Sequence, residues 1–282
     1  MPKPSATGSD DGLPRGLTEK AYPTATHRWN VFNEEWCSRH PSTRTQSMHD
    51  LLYLPILAIL VGFAWTIHRA YQADNPVLGG NATASLVATL IPLLFDVMVE
   101  PLTGVALTIG PVLPLWIAIA GGLHTIGMTT IYERVWWWDH LTHLVSATLI
   151  AAVVYGALIA IEADPATTEI APGRIVELTI VITLVAGIFW EIIELVGRDI
   201  AVLLDREPML VPYGRYDTAL DLVVDVVGAV LVIAVDLRVF QSLAEQSPDT
   251  AKSLLIIATG AMMIGGLVLS LALYWYHFDG FQ

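Results

Sequence analysis

The chain has 282 residues, of which 54% are hydrophobic and only 15% are charged, whereas soluble domains carry about 25% charged residues. The composition therefore indicates a membrane protein. Its formal net charge is −13, and the basic-patch signature of nucleic-acid binders is missing. The single cysteine, Cys37, excludes an intramolecular disulfide.

Residues 1–49 are polar and rich in Pro, Ser, Thr and Gly, so we expect a mostly flexible tail before a membrane domain over residues 50–282. The tail holds six of the fourteen Lys and Arg residues. Basic charge beside a first span favours a cytoplasmic N-terminus. Acidic residues fill the tails and loops, which leads to the hypothesis that the protein comes from a salt-rich environment.

Seven apolar windows are long enough, at about 17–25 residues, to cross a bilayer as helices. They cover residues 51–71, 82–99, 103–127, 141–162, 175–196, 217–238 and 253–276. Asp96, Glu100, Pro92 and Pro101 interrupt the second window, so a re-entrant hairpin is an alternative there and the total is six to seven. Because unpaired backbone is not tolerated in lipid, the prediction is an all-α polytopic transmembrane helical bundle, a multi-pass protein of the plasma membrane.

Four groups of ionisable residues lie within or at the ends of these windows, where a carboxylate costs up to about 2.5–3.5 kcal/mol. In chain order they are His124; Asp139, His140 and His143; Glu191 and Glu194; and Asp217, Asp221 and Asp225. Residues three or four apart share a helix face, so each group projects from one side of its helix. We expect these sides to meet in one shared polar centre. Gly228 continues the last stripe and would let two helices approach closely.

Several carboxylates with one or two imidazoles suit a divalent cation, whose identity the sequence leaves open. In this interpretation Glu191 and Asp221 are catalytic. The expected metal ligands are His124, Asp139, His143, Glu194, Asp217 and Asp225. One alternative is a hydrogen-bonded network in which Arg198 or Arg215 balances some carboxylates; Arg198 lies four residues after Glu194, the spacing of an intrahelical pair. Another is an ion or proton pathway.

The stretch RVWWWDHLTHLVSAT, residues 134–148, opens the fourth window. Trp136–Trp138 precede an apolar segment as interfacial anchors do. They would hold Asp139 and His143 close to one membrane surface. His140 points about 100° away from Asp139 on a helix, so we expect it to face away from the centre.

Five short motifs occur in a fixed order along residues 101–235. They are P-L-T (101–103), G-G-L-H-T (121–125), W-D-x-x-x-H (138–143), W-E-x-x-E (190–194) and D-T-x-x-D-x-x-x-D-x-x-G-A (217–229). This order resembles the YjdF-like integral membrane proteins, a family of unknown biochemical function. The resemblance implies that the polar residues of these motifs and Gly228 are family positions. A weaker similarity links the pattern to the VanZ-like membrane proteins, implicated in glycopeptide-antibiotic tolerance; there Asp225 replaces an Asn and Glu194 a Gln.

The leading functional hypothesis is a metal-assisted membrane enzyme that acts on a lipid or lipid-linked substrate, with a cation polarising an oxygen and a carboxylate as general base. The alternatives are an ion- or proton-coupled transporter and a non-catalytic structural protein with a buried hydrogen-bond network. The expected partners are the bilayer and its lipids, with no nucleic acid. The sequence leaves the oligomeric state open.

Overall fold

The apolar windows of the sequence form long helices. The computed structural model describes residues 43–103, 107–164, 172–203, 205 and 216–279, and within these ranges the chain is helical and contains no strand. The numbered helices are α1 (Thr43–Gln72), α2 (Pro76–Thr103), α3 (Val112–Ile126), α4 (Trp138–Ala163), α5 (Pro172–Leu203), α6 (Asp217–Ala234), α7 (Gln241–Glu245) and α8 (Pro248–Asp279). Two short turns, Gly127–Ile131 and Tyr132–Arg134, connect α3 to α4.

The chain divides into two units, residues 1–48 and 49–282. The predicted flexibility of the tail concerns mainly residues 1–42, which lie outside the described residues.

Six helices are long and apolar enough to cross a membrane. Their spans are Asp50–Gln72, Pro76–Phe95, Val112–Arg134, Trp138–Ala163, Gly173–Leu203 and Pro248–His277. The seventh predicted window forms α6, whose 18 residues extend about 27 Å, slightly less than the roughly 30 Å hydrocarbon core. The predicted bundle of six to seven spans is confirmed. Helix α2 continues through Pro92, so the re-entrant alternative is wrong, because one missing backbone donor does not end a packed membrane helix.

Helix α4 lies at the centre of the bundle. It packs against α3, α5, α6, α7 and α8, and its contact with α6 is the most extensive. The facing residues are small: Ala151 and Ala229 are fully buried, and a Cβ added at Gly228 would lie 3.1 Å from the backbone nitrogen of Thr148. Small residues let two helix backbones approach closely, which explains the predicted role of Gly228.

Polar contacts fix α6 against α4 at both ends. At the start of α6, His140 Nδ1 lies 2.6 Å from Asp221 Oδ1. Beyond its other end, the Tyr155 hydroxyl donates to Asp236 Oδ1 at 2.7 Å. Hydrogen bonds from the Arg238 guanidinium and then from Tyr155 hold the pKa of Asp236 below its usual range. The two contacts set the register between the helices and so the positions of the aspartates on α6.

A distorted turn ends α3 where it meets the start of α4. Residues Gly127–Ile131 form a π-helical turn in which Thr130 has a φ of 113°, a value that non-glycine residues rarely adopt. The turn places the ring of Tyr132 against Gly127, where an added Cβ would overlap the ring. Such turns and strained residues are frequent at functional sites. Here the turn directs the Tyr132 hydroxyl into the bundle, onto His124.

The close packing of α4 on α6 gives the first prediction. Replacing Gly228 by leucine should lower the melting temperature of the purified protein in detergent, because overpacking at such a contact costs about 1–3 kcal/mol. Gly260 on α8 is the matched control, since nothing lies within 4 Å of a Cβ added there, and Gly260→Leu should leave the melting temperature unchanged. Equal losses in the two variants would contradict the account of the α4–α6 contact.

Candidate metal centre

His143 lies at the point where α4, α5 and α6 meet. Its Nδ1 is 3.2 Å from Asp225 Oδ1 on α6, and its Nε2 is 3.6 Å from Glu191 Oε1 on α5. All three side chains are buried. One imidazole therefore faces a carboxyl group on each neighbouring helix, as the predicted stripes require.

Three side chains of this centre can offer ligand atoms to one ion. Asp139, His143 and Asp221 each present one such atom, and these atoms all lie within 4.8 Å of one another. Asp139 and His143 come from adjacent turns of α4, while Asp221 comes from α6. An aspartate pair with one imidazole is a donor set that divalent metals use in proteins.

The centre also holds buried polar atoms without a hydrogen-bond partner among the described residues. These atoms are His143 Nε2, Glu191 Oε1 and Asp225 Oδ2. An unpaired buried polar atom costs about 1–3 kcal/mol, and more if the group is charged. The three atoms lie around one histidine. A ligand bound in this part of the centre would satisfy them.

Negative charge exceeds positive charge within the centre. The carboxyl groups that are at most 7% exposed are those of Glu191, Glu194, Asp221 and Asp225. His140 and His143 are the imidazoles in contact with them. Even with both imidazoles protonated, two carboxyl groups would need a proton or a cation, since an isolated buried charge is strongly unfavourable.

The expectation that His140 faces away from the centre is wrong. Its Nδ1 lies 2.6 Å from Asp221 Oδ1. His140 and His143 are three residues apart and share the face of α4 that packs along α6, while Asp139 and His143 share the adjacent face. Because α6 packs closely on α4, it contacts both of these faces of α4. The angle between Asp139 and His140 around α4 does not predict this contact.

A second row of polar groups joins the centre to the end of α3. The Tyr132 hydroxyl is 2.7 Å from His124 Nδ1 and 3.3 Å from the Thr142 hydroxyl. Thr142 Oγ1 is in turn 3.4 Å from Asp139 Oδ1 and donates to the Asp139 backbone carbonyl at 2.7 Å. The predicted ligand His124 is therefore not grouped with the three candidate ligands but reaches Asp139 through Tyr132 and Thr142.

Sequence reasoning did not identify Tyr132 or Thr142. Thr142 lies three residues after Asp139, so its position on the same helix face was available from spacing. No such signal exists for Tyr132, because the π-helical turn before it changes the angular position of every residue that follows.

Glu194 and Arg198 do not form the predicted carboxylate pair within α5. The Glu194 carboxyl group accepts a hydrogen bond from Trp190 Nε1 at 2.8 Å, and Arg198 Nε donates to the Glu194 backbone carbonyl at 3.4 Å. The Trp190 ring also lies 5.0 Å from the His124 ring. Trp190 lies one turn before Glu194, and its donor stays within the bundle. The longer Arg198 side chain is only half-buried.

Asp217 lies at the edge of the centre. Asp217 is half-buried in the first turn of α6, one turn before Asp221, and Arg215 lies outside the described residues. Trp136 and Trp137 are 64% and 47% exposed, as anchors would be. Trp138 instead turns inward, and its Nε1 donates to the Leu123 carbonyl at 3.2 Å.

Comparison with known proteins supports the resemblance drawn from the motifs. Residues 51–242 match the family described as "Predicted membrane protein (DUF2238)". The chain belongs to this family of predicted membrane proteins. The YjdF-like proteins are the same family, and the match extends beyond the expected 101–235 core to α1 and α2. Searches of curated proteins and of solved structures return no match.

The row through Tyr132 gives the second prediction. Tyr132→Phe removes a buried hydroxyl and leaves His124 Nδ1 without this partner, so the free energy of unfolding should fall by about 1–3 kcal/mol. Tyr71 on α1, which is 87% exposed, is the matched control, and Tyr71→Phe should have no effect. Chemical denaturation in detergent measures both variants. A Tyr132→Phe protein as stable as its parent would contradict a structural role for this hydroxyl.

Proposed function

We propose that the centre holds one divalent cation and that the protein is a metal-assisted membrane enzyme acting on a lipid or lipid-linked substrate. The observation that carries the proposal is the grouping of Asp139, His143 and Asp221, whose ligand atoms lie within 4.8 Å of one another. The three unpaired polar atoms around His143 support it independently.

The contact between His143 and Glu191 also favours a cation. Their Nε2 and Oε1 atoms are 3.6 Å apart, too far for a good hydrogen bond. The Glu191 carboxyl group is therefore buried without a direct hydrogen bond to His143, and a cation bound nearby would compensate its charge. A set that mixes carboxylates with an imidazole suits Mn²⁺, Fe²⁺ or Zn²⁺.

In this proposal the chain's own residues divide between binding and proton transfer. Asp139, His143 and Asp221 hold the cation, which when bound polarises an oxygen of the substrate. Glu191 has one unpaired buried oxygen and serves as the general base. His140 orients the Asp221 carboxylate through their 2.6 Å contact, as outer partners of metal ligands do.

The membrane position of the centre favours a lipid as the substrate. The exposed rings of Trp136 and Trp137 precede α4, and such rings locate at the membrane–water interface. Asp139 and His143 follow within two turns. With a cytoplasmic N-terminus in the plasma membrane, three spans precede this end of α4, so the centre lies on the extracytoplasmic side, at the level of lipid headgroups.

A second candidate function is a proton pathway. The continuous row His124, Tyr132, Thr142 and Asp139 favours it, since intramembrane rows of this kind mark proton relays. A non-catalytic network would use the same contacts to fix helix register. Neither alternative requires a cation.

Elemental analysis of the purified, detergent-solubilised protein tests the cation. The parent should carry about one divalent ion per chain, and Asp139→Asn and Asp221→Asn should each weaken binding by at least about 100-fold, since loss of even an outer partner costs about 10–100-fold. Asp249→Asn, which removes an exposed carboxylate at the start of α8, should retain the ion. Equal metal content in all four proteins, or none in the parent, would contradict the proposal.

Replacing Asp225 distinguishes a bound cation from a proton network. Asp225 lies one turn after Asp221 on α6 and adds a second buried negative charge, and such charges repel each other unless a cation lies nearby. If a cation is present, Asp225→Asn should weaken its binding, and chelator should lower the melting temperature of the parent more than that of the variant. In a proton network the variant should match or exceed the parent in stability, with neither protein responding to chelator. That second result would contradict the metal centre.

A further inference from the structure

A cavity of about 500 Å³ opens beside the metal centre. Helix α2 packs on α3, and α8 packs on α5, while α3 and α5 both pack on α4. The cavity lies between these two pairs of helices, with α4 as its back wall. His143 and Asp225 line the cavity and also belong to the centre. The cavity therefore reaches the side chains of the centre.

The walls away from the centre are apolar. The large side chains that line them are Ile117, Leu149, Ile150, Phe189, Ile193 and Met262. Two polar groups in the wall have partners within the protein: Asn81 donates to Thr125, and Thr183 donates to the backbone of its own helix. The polar end and the apolar remainder are therefore clearly separated, as in pockets that bind a ligand with one polar end.

Residue spacing gives the length of the apolar part. Leu149 and Ile150 follow His143 on α4 by six and seven residues, which corresponds to about 10 Å along a helix. Ile117 precedes His124 on α3 by seven residues, the same distance. Both helices run from the centre toward the middle of the bilayer, so the cavity extends about 10 Å into the hydrocarbon region.

The cavity is accessible from the lipid side. Ala84 and Ala88 on α2 and Ile193 on α5 line it and are exposed. Small side chains at the mouth leave room for a chain to enter sideways. Because the surroundings at this depth are hydrocarbon, the groups that can enter the cavity are the tails of neighbouring lipids.

We propose that this cavity binds one hydrocarbon chain, acyl or prenyl, of a lipid whose polar head reaches the metal centre. The proposal rests on the proposed function for the role of the head, but chain binding itself needs only the cavity. A volume of about 500 Å³ lies in the range of about 300–1,000 Å³ typical of small-molecule sites. The walls would select for a single flexible tail, and the charged end would hold the head at the cation.

Photolabelling in nanodiscs tests the proposal with the full-length protein. One probe is a phospholipid with a diazirine midway along one acyl chain, and the other is a prenyl phosphate with a diazirine in its chain. At least one probe should label the cavity wall at Leu149, Ile150 or Phe189, as located by peptide mass spectrometry. The probe that labels more strongly identifies the chain type.

Filling the mouth should abolish this labelling. In Ala84→Phe/Ala88→Phe the label on the wall should fall by about tenfold or more. Thr83→Phe/Val87→Phe is the matched control, because these neighbours on α2 are exposed and do not line the cavity, and it should label like the parent. Labelling that is confined to lipid-facing residues of α8, or that is equal in the two double variants, would overturn the proposal.

The metal variants distinguish this proposal from the proposed function. Asp221→Asn should lose the ion but retain labelling of the cavity wall, because Asp221 does not line the cavity and the walls that hold the chain are apolar. A parent that holds the ion but shows no labelling of the cavity wall would overturn chain binding alone. Wall labelling in a parent that holds no metal would overturn the metal centre and leave chain binding intact.

Discussion

Carboxyl groups buried between helices require a compensating proton, imidazole or cation, and the arrangement of α4, α5 and α6 follows from that requirement. Glu191 on α5 and Asp225 on α6 meet His143, and Asp221 meets His140. No single helix of this set could bury its carboxyl groups alone, because each would then face lipid. The polar contacts therefore select the helix pairing, while the alanine-rich contacts supply close packing.

The close approach of α4 and α6 connects the packing to the site. Gly228 and Ala229 let the two backbones come together, and contacts at both ends fix their register. A shift of α6 by one residue would turn its aspartates by about 100° and separate them from the imidazoles. The π-helical turn after α3 adds Tyr132 from a third direction, so the centre is supported on each side by rigid helices rather than by loops.

Sequence patterns predicted the bundle and the convergence of the acidic stripes because both depend on spacing within one helix. Helix-face spacing brought Asp139 together with His143 and Asp221 with Asp225, and their burial followed from the cost of charge in lipid. His140 was placed wrongly, since its contact depends on which neighbour lies beside α4. Tyr132 was not found, because the turn that positions it breaks regular helix periodicity. Spacing describes a single helix, whereas these contacts depend on pairs of helices.

Asp139, His143 and Asp221 are proposed to be the ligands of one cation. Pulsed electron paramagnetic resonance of the protein loaded with Mn²⁺ tests this most directly, because Mn²⁺ suits carboxylate-rich sites and its echo is modulated by a coordinated nitrogen. Nitrogen modulation is expected in the parent and should be lost in His143→Gln, whereas Asp249→Asn should retain it. A bound Mn²⁺ that shows no nitrogen modulation in the parent, or a parent that binds no Mn²⁺, Fe²⁺ or Zn²⁺, would contradict this proposal.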